Sequence, residues 1–341
     1  MKFSKLLFTE RITSDPSEID ERIKRPLSGW EFAGLALTLI FPVMVMLISP
    51  VELGGQQAYD FQHYLNSARG DFSFYYYAHW LLPLWQFLGV MPLWLSYLLW
   101  TSISVLSIFF ASRMFGARPS LLLFSYQTLI VLYLGQFTGI LIGGLSLLWW
   151  GLTHKRWYVA GIGLLLAASK YHTGLIPSLV FILCLDINWR DRFKTILIPA
   201  AVGVASLFVY PLWPLTVLET FHLNPPNAWG SVSLWQWIGP AALLAWIPPL
   251  MLKLSWRERM VALLAAAPLG IPYYQQADLL ILMTLPIGWL PVLGNLGFLK
   301  ALIGHLADNI LVVIPAVVYL SVLIPAMPTA FRPTPAMSNE P

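Results

Sequence analysis

Apolar residues fall along this chain in long blocks rather than in one-sided stripes or alternations. Blocks of about 20 residues with few charges have the length at which a helix crosses a bilayer. They recur at 30–49, 91–112, 119–134, 138–152, 157–170, 172–187, 195–214, 233–252, 259–272, 279–293 and 308–326. The pattern predicts an all-α polytopic membrane protein with about 11 spans, several shorter than a straight crossing requires. The run from Phe72 to Ala111 is too long for one span, and Pro83, Gly89 and Pro92 break it. It reads either as an interfacial helix followed by one span, or as two spans.

Composition agrees with the pattern. The 341 residues are 58% hydrophobic and 11% charged, against roughly a quarter charged in soluble domains. The net charge of +4 does not point to nucleic acid, because the basic residues sit in short clusters between apolar blocks and set orientation instead. With the N-terminus cytoplasmic and the 72–111 run crossing once, all of the 20 Lys and Arg residues except Arg69, Lys170 and Arg332 fall on the inner side. A second crossing would reverse every later loop, so parity selects one. Residues 1–29 are then a cytoplasmic basic tail. Residues 30–326 form the membrane body, with an external loop at 50–90, and 327–341 form a Pro-rich external disordered tail. The first apolar block is too long for a signal-peptide core and lacks an A-x-A site, so it is an uncleaved span. Cys184 is the single cysteine and excludes an internal disulfide.

The same orientation gathers the polar chemistry on one face. Asp60, His63, Arg69, Asp71, Gln136, Lys170, His172, Glu219, His222, Asn224, Gln275, Gln276 and Asp278 all fall outside or at outer span ends. Asp60 can act as a general base if it stays ionised within reach of a hydroxyl; a solvated helix-capping aspartate is the plain alternative. Lys170 and His172 lie between two apolar blocks with almost no polar spacer. A lysine there is costly unless paired or facing a polar cavity, and it binds phosphate as a point charge; snorkelling to outer headgroups is the alternative. Gly139 and Gly143, four apart, permit close helix approach, with Gln136 at the outer end as a sugar or phosphate contact. Tyr274, Gln275 and Asp278 could hold sugar hydroxyls; equally, Asp278 could be a helix N-cap. Asn224 to Gly230 is a turn-rich external loop. No zinc-type histidine spacing and no Walker A sequence occur, so neither a metal centre nor an ATP-driven pump is expected.

Asp60-Phe61 followed by Tyr64, then Gly135-Gln136, the helix ending WWGLTHKRWYVAG, the Leu-rich run into Lys170 and His172, and Pro272-Tyr273-Tyr274 with Asp278 occur in that order. Together they resemble glycosyltransferase family 87, membrane enzymes of GT-C architecture, over roughly residues 30–295. The resemblance implies a GT-C-like bundle in a bacterial plasma membrane, a polyprenyl-phosphate-linked mannose donor, a lipid or glycan acceptor, and inverting transfer without a metal or other cofactor. It implies Asp60 as base and a polar role for Gln136, Lys170 and Asp278. The physical reading adds Lys170, with Arg69 or His172, at the donor phosphate, and His63, Tyr64, Gln136, Tyr274, Gln275 and Asp278 at sugar or acceptor. Independently, the chain has no cytoplasmic domain for a nucleotide sugar and no external Asp-x-Asp pair, which suits a lipid-delivered donor. A transporter or lipid flippase and a non-catalytic assembly subunit are the competing readings.

Overall fold

The computed structural model describes residues 11–48, 57–223, 231–304 and 306–327. Helix is the only extended element among them; the one β-type contact is an antiparallel bridge between Ser231 and Gln275. The helices that position the site are α1 (Pro16–Lys24), α2 (Gly29–Ile48), α3 (Tyr59–Ser67), α4 (Leu93–Phe115), α5 (Tyr126–Leu134) and α6 (Thr138–Thr153). They continue with α7 (Trp157–Ala168), α8 (Ile176–Cys184), α9 (Trp189–Val209), α10 (Trp213–Leu223), α11 (Trp256–Gly270) and α12 (Val313–Ala326).

Four stretches are long and apolar enough to cross a membrane: α2, α4, α9 and Leu306–Ala326. The pair α5 and α6 also qualifies together, but bends by 112° at its break. Only 11% of the apolar window of α9 is buried within the protein. An apolar surface of that length is stable against lipid and not against water. The chain is a helical membrane protein.

The 72–111 run resolves into a short helix, Leu82–Gly89, followed by α4, the single-span alternative. The glycines of α6 act as expected. A Cβ at Gly139 would collide with Ser104 and one at Gly143 with Ser107, so α4 and α6 meet nearly backbone to backbone. Gly144, Gly151 and Gly163 do the same between α6 and α7.

Two expected spans are not straight helices. Block 119–134 is split between Pro119–Leu123 and α5, because the Ser125 hydroxyl caps α5 by accepting from Thr128 N at 3.3 Å. A serine that satisfies a free amide ends one helix and starts the next. Block 279–293 forms the short helix Leu279–Met283 and then turns through Gly288 at φ +64°. Arg118 stacks over the Trp289 ring at 4.5 Å. The chain then returns, so that Asn295 Oδ1 accepts from Tyr126 N at 2.8 Å while Gln276 Nε2 reaches Tyr126 Oη at 3.5 Å. Both ends of the segment rest on one tyrosine, which a straight crossing does not permit. Farther on, Gln236 donates to both Ser231 O and Asn309 Oδ1, each at 3.0 Å. The last span therefore starts at the end of the molecule that holds Gln275. Lys300 lies there too, paired with buried Asp308 at 2.8 Å. Lys300 and Gln275, expected on opposite sides, thus share one end, and Asp308 cancels the charge of a lysine on which the orientation count relied. Residues 50–56 of the external loop, the turn 224–230 and tail residues 328–341 fall outside the described residues.

The expected basic tail contains a folded element. Asp15 caps α1 by accepting from Ser17 N at 3.0 Å. Arg113 of α4, 4% exposed, donates to the carbonyls of Ile23, Arg25 and Pro26 at 3.0, 2.7 and 2.8 Å, and to Glu31 at 3.2 Å. It satisfies the free carbonyls where α1 ends and is no exposed anchor. Removing it leaves Glu31 buried with the half-exposed Arg25 as its remaining ion-pair partner. Arg113→Ala should therefore cost about 3 kcal/mol or more and expose α1 to protease, as read by thermal unfolding in detergent and limited proteolysis.

Candidate functional site

Helix α7 stops at Ala168, and Ser169 and Lys170 are unwound before one π-helical turn, Tyr171–Leu175, leads into α8. The turn needs Gly174, because any Cβ there would run into the Ala167 carbonyl oxygen. The groups released by the break are taken up by the loop between α3 and α4. Ala78 N donates to Ser169 O at 3.1 Å, and Trp80 Nε1 donates to Ser169 Oγ at 2.8 Å. π-Turns within helical segments concentrate at functional sites, and this one delivers a charge.

Lys170 Nζ donates to both Asp278 carboxylate oxygens, at 2.6 and 2.9 Å, and to Thr138 Oγ1 at 3.3 Å. Thr138 Oγ1 in turn donates to Asp278 Oδ1 at 2.6 Å. Lys170 is 2% exposed and Asp278 0%. All three ammonium protons are used. Asp278 closes a 3₁₀ turn and makes no side-chain cap to the helix after it, so the N-cap alternative is set aside. Its backbone carbonyl accepts from Tyr274 Oη at 3.0 Å. The Tyr274 carbonyl accepts from Val232 N at 2.8 Å, which fixes this segment against residues 231–232.

Asp60 reaches the same place from the first turn of α3. Ala58, just before it, is fully buried with φ +54°, a conformation a non-glycine residue adopts at some cost. Its amide donates to Tyr133 O at 2.9 Å. Phe61 packs on Gly135, whose φ of +67° ends α5 and where a Cβ would strike the phenylalanine. These contacts clamp the start of α3 to the end of α5 and set Asp60 beside Gln136. Gln136 Nε2 donates to Gln275 Oε1 at 3.2 Å. Burial pushes the Asp60 carboxyl up to about 6; Lys170 and the Gln136 side chain oppose that rise and Asp278 adds to it. A half-buried carboxylate titrating near neutrality can take a proton from a substrate hydroxyl.

The structure thus brings together Asp60, Gln136, Lys170, His172, Gln275 and Asp278. Arg69 is different: it is exposed beyond the end of α3, and no contact joins it to Lys170 or Asp278 among the described residues. Its expected place at a donor phosphate is not seen. His63 sits against Tyr59 and Phe74, its ring 4.4 and 5.0 Å from theirs, on another face of α3 from Phe61. Tyr64 and Tyr274 are buried supports. Tyr64 Oη accepts from Phe137 N at 3.2 Å and pairs with Tyr77 Oη at 3.0 Å. Two participants escaped sequence reading. Thr138 lies two residues beyond Gln136 but looks like any threonine opening an apolar helix. Tyr273, whose hydroxyl accepts from Gln275 Nε2, was visible only as part of an aromatic pair.

No family model matches the chain, and no curated protein or solved structure matches it. Asp278→Asn leaves the Lys170 ammonium buried without its counter-charge, and stability should fall by about 3–5 kcal/mol. The double variant Lys170→Met with Asp278→Leu should recover most of that loss. A denaturant or thermal series on the three variants checks it, and additive losses would show that the two groups are not coupled.

Proposed function

We propose that the chain is an integral membrane glycosyltransferase that moves a hexose, mannose by the family resemblance, from a polyprenyl-phosphate donor to a lipid or glycan hydroxyl. One observation carries this reading. An aspartate pushed up to about 6 stands beside a buried Lys–Asp–Thr cluster, with Gln136 between them. Asp60 takes the acceptor hydroxyl proton as that oxygen forms its bond to the anomeric carbon. The bond from that carbon to the donor phosphate breaks, and the phosphate leaves with the electron pair, so one carboxylate suffices. The transition state is oxocarbenium-like, as in glycoside hydrolysis.

Lys170 is the nearest cation, and a phosphate must replace one of its existing contacts to reach it. The Thr138 contact, at 3.3 Å the longest, yields first. Support for a lipid-borne donor comes from an apolar groove of about 580 Å³ that runs along α4, α6 and α7 from the site's end to Ile23 of α1, the length an acyl chain would follow. Its lining includes Ile140, two residues past Thr138, and Leu166, one helical turn before Lys170. In this reading the site faces outward and the N-terminus is cytoplasmic. Short helices such as α7 and α8 complete further crossings, and the last helix, starting at the site's end, runs inward. The described chain then ends, at Met327, on the side opposite to the one expected.

A second reading rests on the charge balance. Lys170 and Asp278 neutralise each other, which leaves Asp60 as the net charge of the site, as a proton-coupled transporter would need. Purified protein given labelled polyprenyl-phosphate mannose and lipid extract should form labelled product. The rate should rise with pH through about 6 as Asp60 loses its proton, and Asp60→Asn should lower it by about 10² or more. Absent product together with proton-driven sugar uptake in vesicles selects the transporter.

A further inference from the structure

The site has an unassigned side. His172 extends from the π-turn with both ring nitrogens buried and no hydrogen-bond partner among the described residues. Tyr171 Oη beside it and Gln136 Oε1 are in the same condition. Buried polar groups in folded proteins nearly always have partners, and each exception needs a reason. A histidine serving only as core filler would lie against a carbonyl or hydroxyl. This one lies among rings instead: its centroid is 5.7 Å from Tyr171, 5.9 Å from Tyr273 and 6.5 Å from Phe221.

Phe221 belongs to α10, which is tied to the outer loop by Thr220 Oγ1 donating to Phe72 O at 3.3 Å. Tyr76 of that loop also packs on Phe221, its ring centroid 4.9 Å away. Three separate segments therefore present ring surfaces around one imidazole. The polar atoms left over are of both kinds. A neutral imidazole offers one donor and one acceptor, a phenol offers both, and a carboxamide oxygen accepts.

Aromatic faces with unsatisfied donors and acceptors match a ring that is apolar on its C–H faces and hydroxylated at its edge. A phosphate would need donors alone, and an acyl chain would need no polar groups. We propose that Tyr171, His172, Phe221 and Tyr273 form a subsite for a neutral hexose ring, with His172 and Tyr171 hydrogen-bonding its hydroxyls. His172, taken in the sequence as a phosphate partner, thereby becomes a specificity residue for sugar. The proposal rests on the glycosyl-transfer reading for its place beside Asp60, but sugar binding needs no turnover and is measured alone.

The test is saturation-transfer NMR on full-length protein in nanodiscs with methyl α-mannoside and methyl α-glucoside as probes. Wild type should bind at least one of them. His172→Phe and Tyr171→Phe should each weaken that binding about tenfold, the scale of one lost hydrogen bond to a desolvated partner. Binding of dodecyl phosphate should stay unchanged. Tyr171→Phe removes a single oxygen, so it keeps the question open to measurement if the histidine variant folds poorly. Displacement of the bound glycoside by polyprenyl-phosphate mannose supports the subsite and identifies the donor sugar as its occupant; binding without displacement supports it and identifies the acceptor. Absence of glycoside binding in wild type, or binding unchanged in both variants, overturns the proposal. Transfer activity without His172-dependent sugar binding leaves the enzyme reading standing and removes the subsite. Sugar binding without transfer removes the enzyme reading and keeps the subsite.

Discussion

A lysine and an aspartate far apart in sequence, neither in water, hold each other where a broken helix meets the segment before Leu279. Neither charge is tolerable there without the other, since one uncompensated ion at that depth costs several kcal/mol. Lys170 reaches Asp278 because α7 breaks just before it. The break survives because Gly174 admits the Ala167 carbonyl and because Trp80 and Ala78 satisfy the groups that Ser169 would otherwise leave open. The helix break, the outer loop and the segment before Leu279 are thus parts of one electrostatic arrangement.

Close packing does the remaining positioning. Glycines on α6 and α7 bring three helices together at backbone distance, so Thr138 can touch both members of the pair. On the other side, Gly135 receives Phe61, and this places the first turn of α3 at the same point. Asp60 is desolvated by that packing and forms no ion pair among the described residues. A carboxylate in this position keeps a carboxyl that titrates near neutrality, whereas Asp278 is committed to its lysine. Two acids in one site are divided by environment: burial pushes one carboxyl up, and the other is held in an ion pair.

Much of the candidate site was legible in the chain, because polar residues among apolar blocks are few and each is conspicuous. Asp60, Gln136, Lys170, His172, Gln275 and Asp278 could be picked out on cost alone. Arg69 could not be separated from them, since exposure at a helix end has no signature in a short polar loop. Thr138 stayed hidden because one hydroxyl does not alter hydropathy. Charge counting placed Lys300 on the side opposite to Gln275, and it lies instead at the same end, with its charge cancelled by Asp308.

By itself the sequence determined that the chain is helical and lives in lipid, that its polar chemistry is confined to a few short stretches, and that the helix bearing Gly139 and Gly143 admits a close neighbour. Those are properties of local composition and spacing, which hydropathy and glycine period report directly. Only the tertiary structure decided which acid pairs with Lys170, that blocks 119–134 and 279–293 bend instead of crossing straight, and which end receives the last helix. The ion pair and the return of block 279–293 rest on partners more than a hundred residues apart, Lys170 with Asp278 and Tyr126 with Asn295. The last helix is placed by Gln236 with Asn309; only the split in block 119–134 has a local cause, the Ser125 cap. An apolar block looks the same whether its hydrogen-bond partners carry it across the membrane or turn it back.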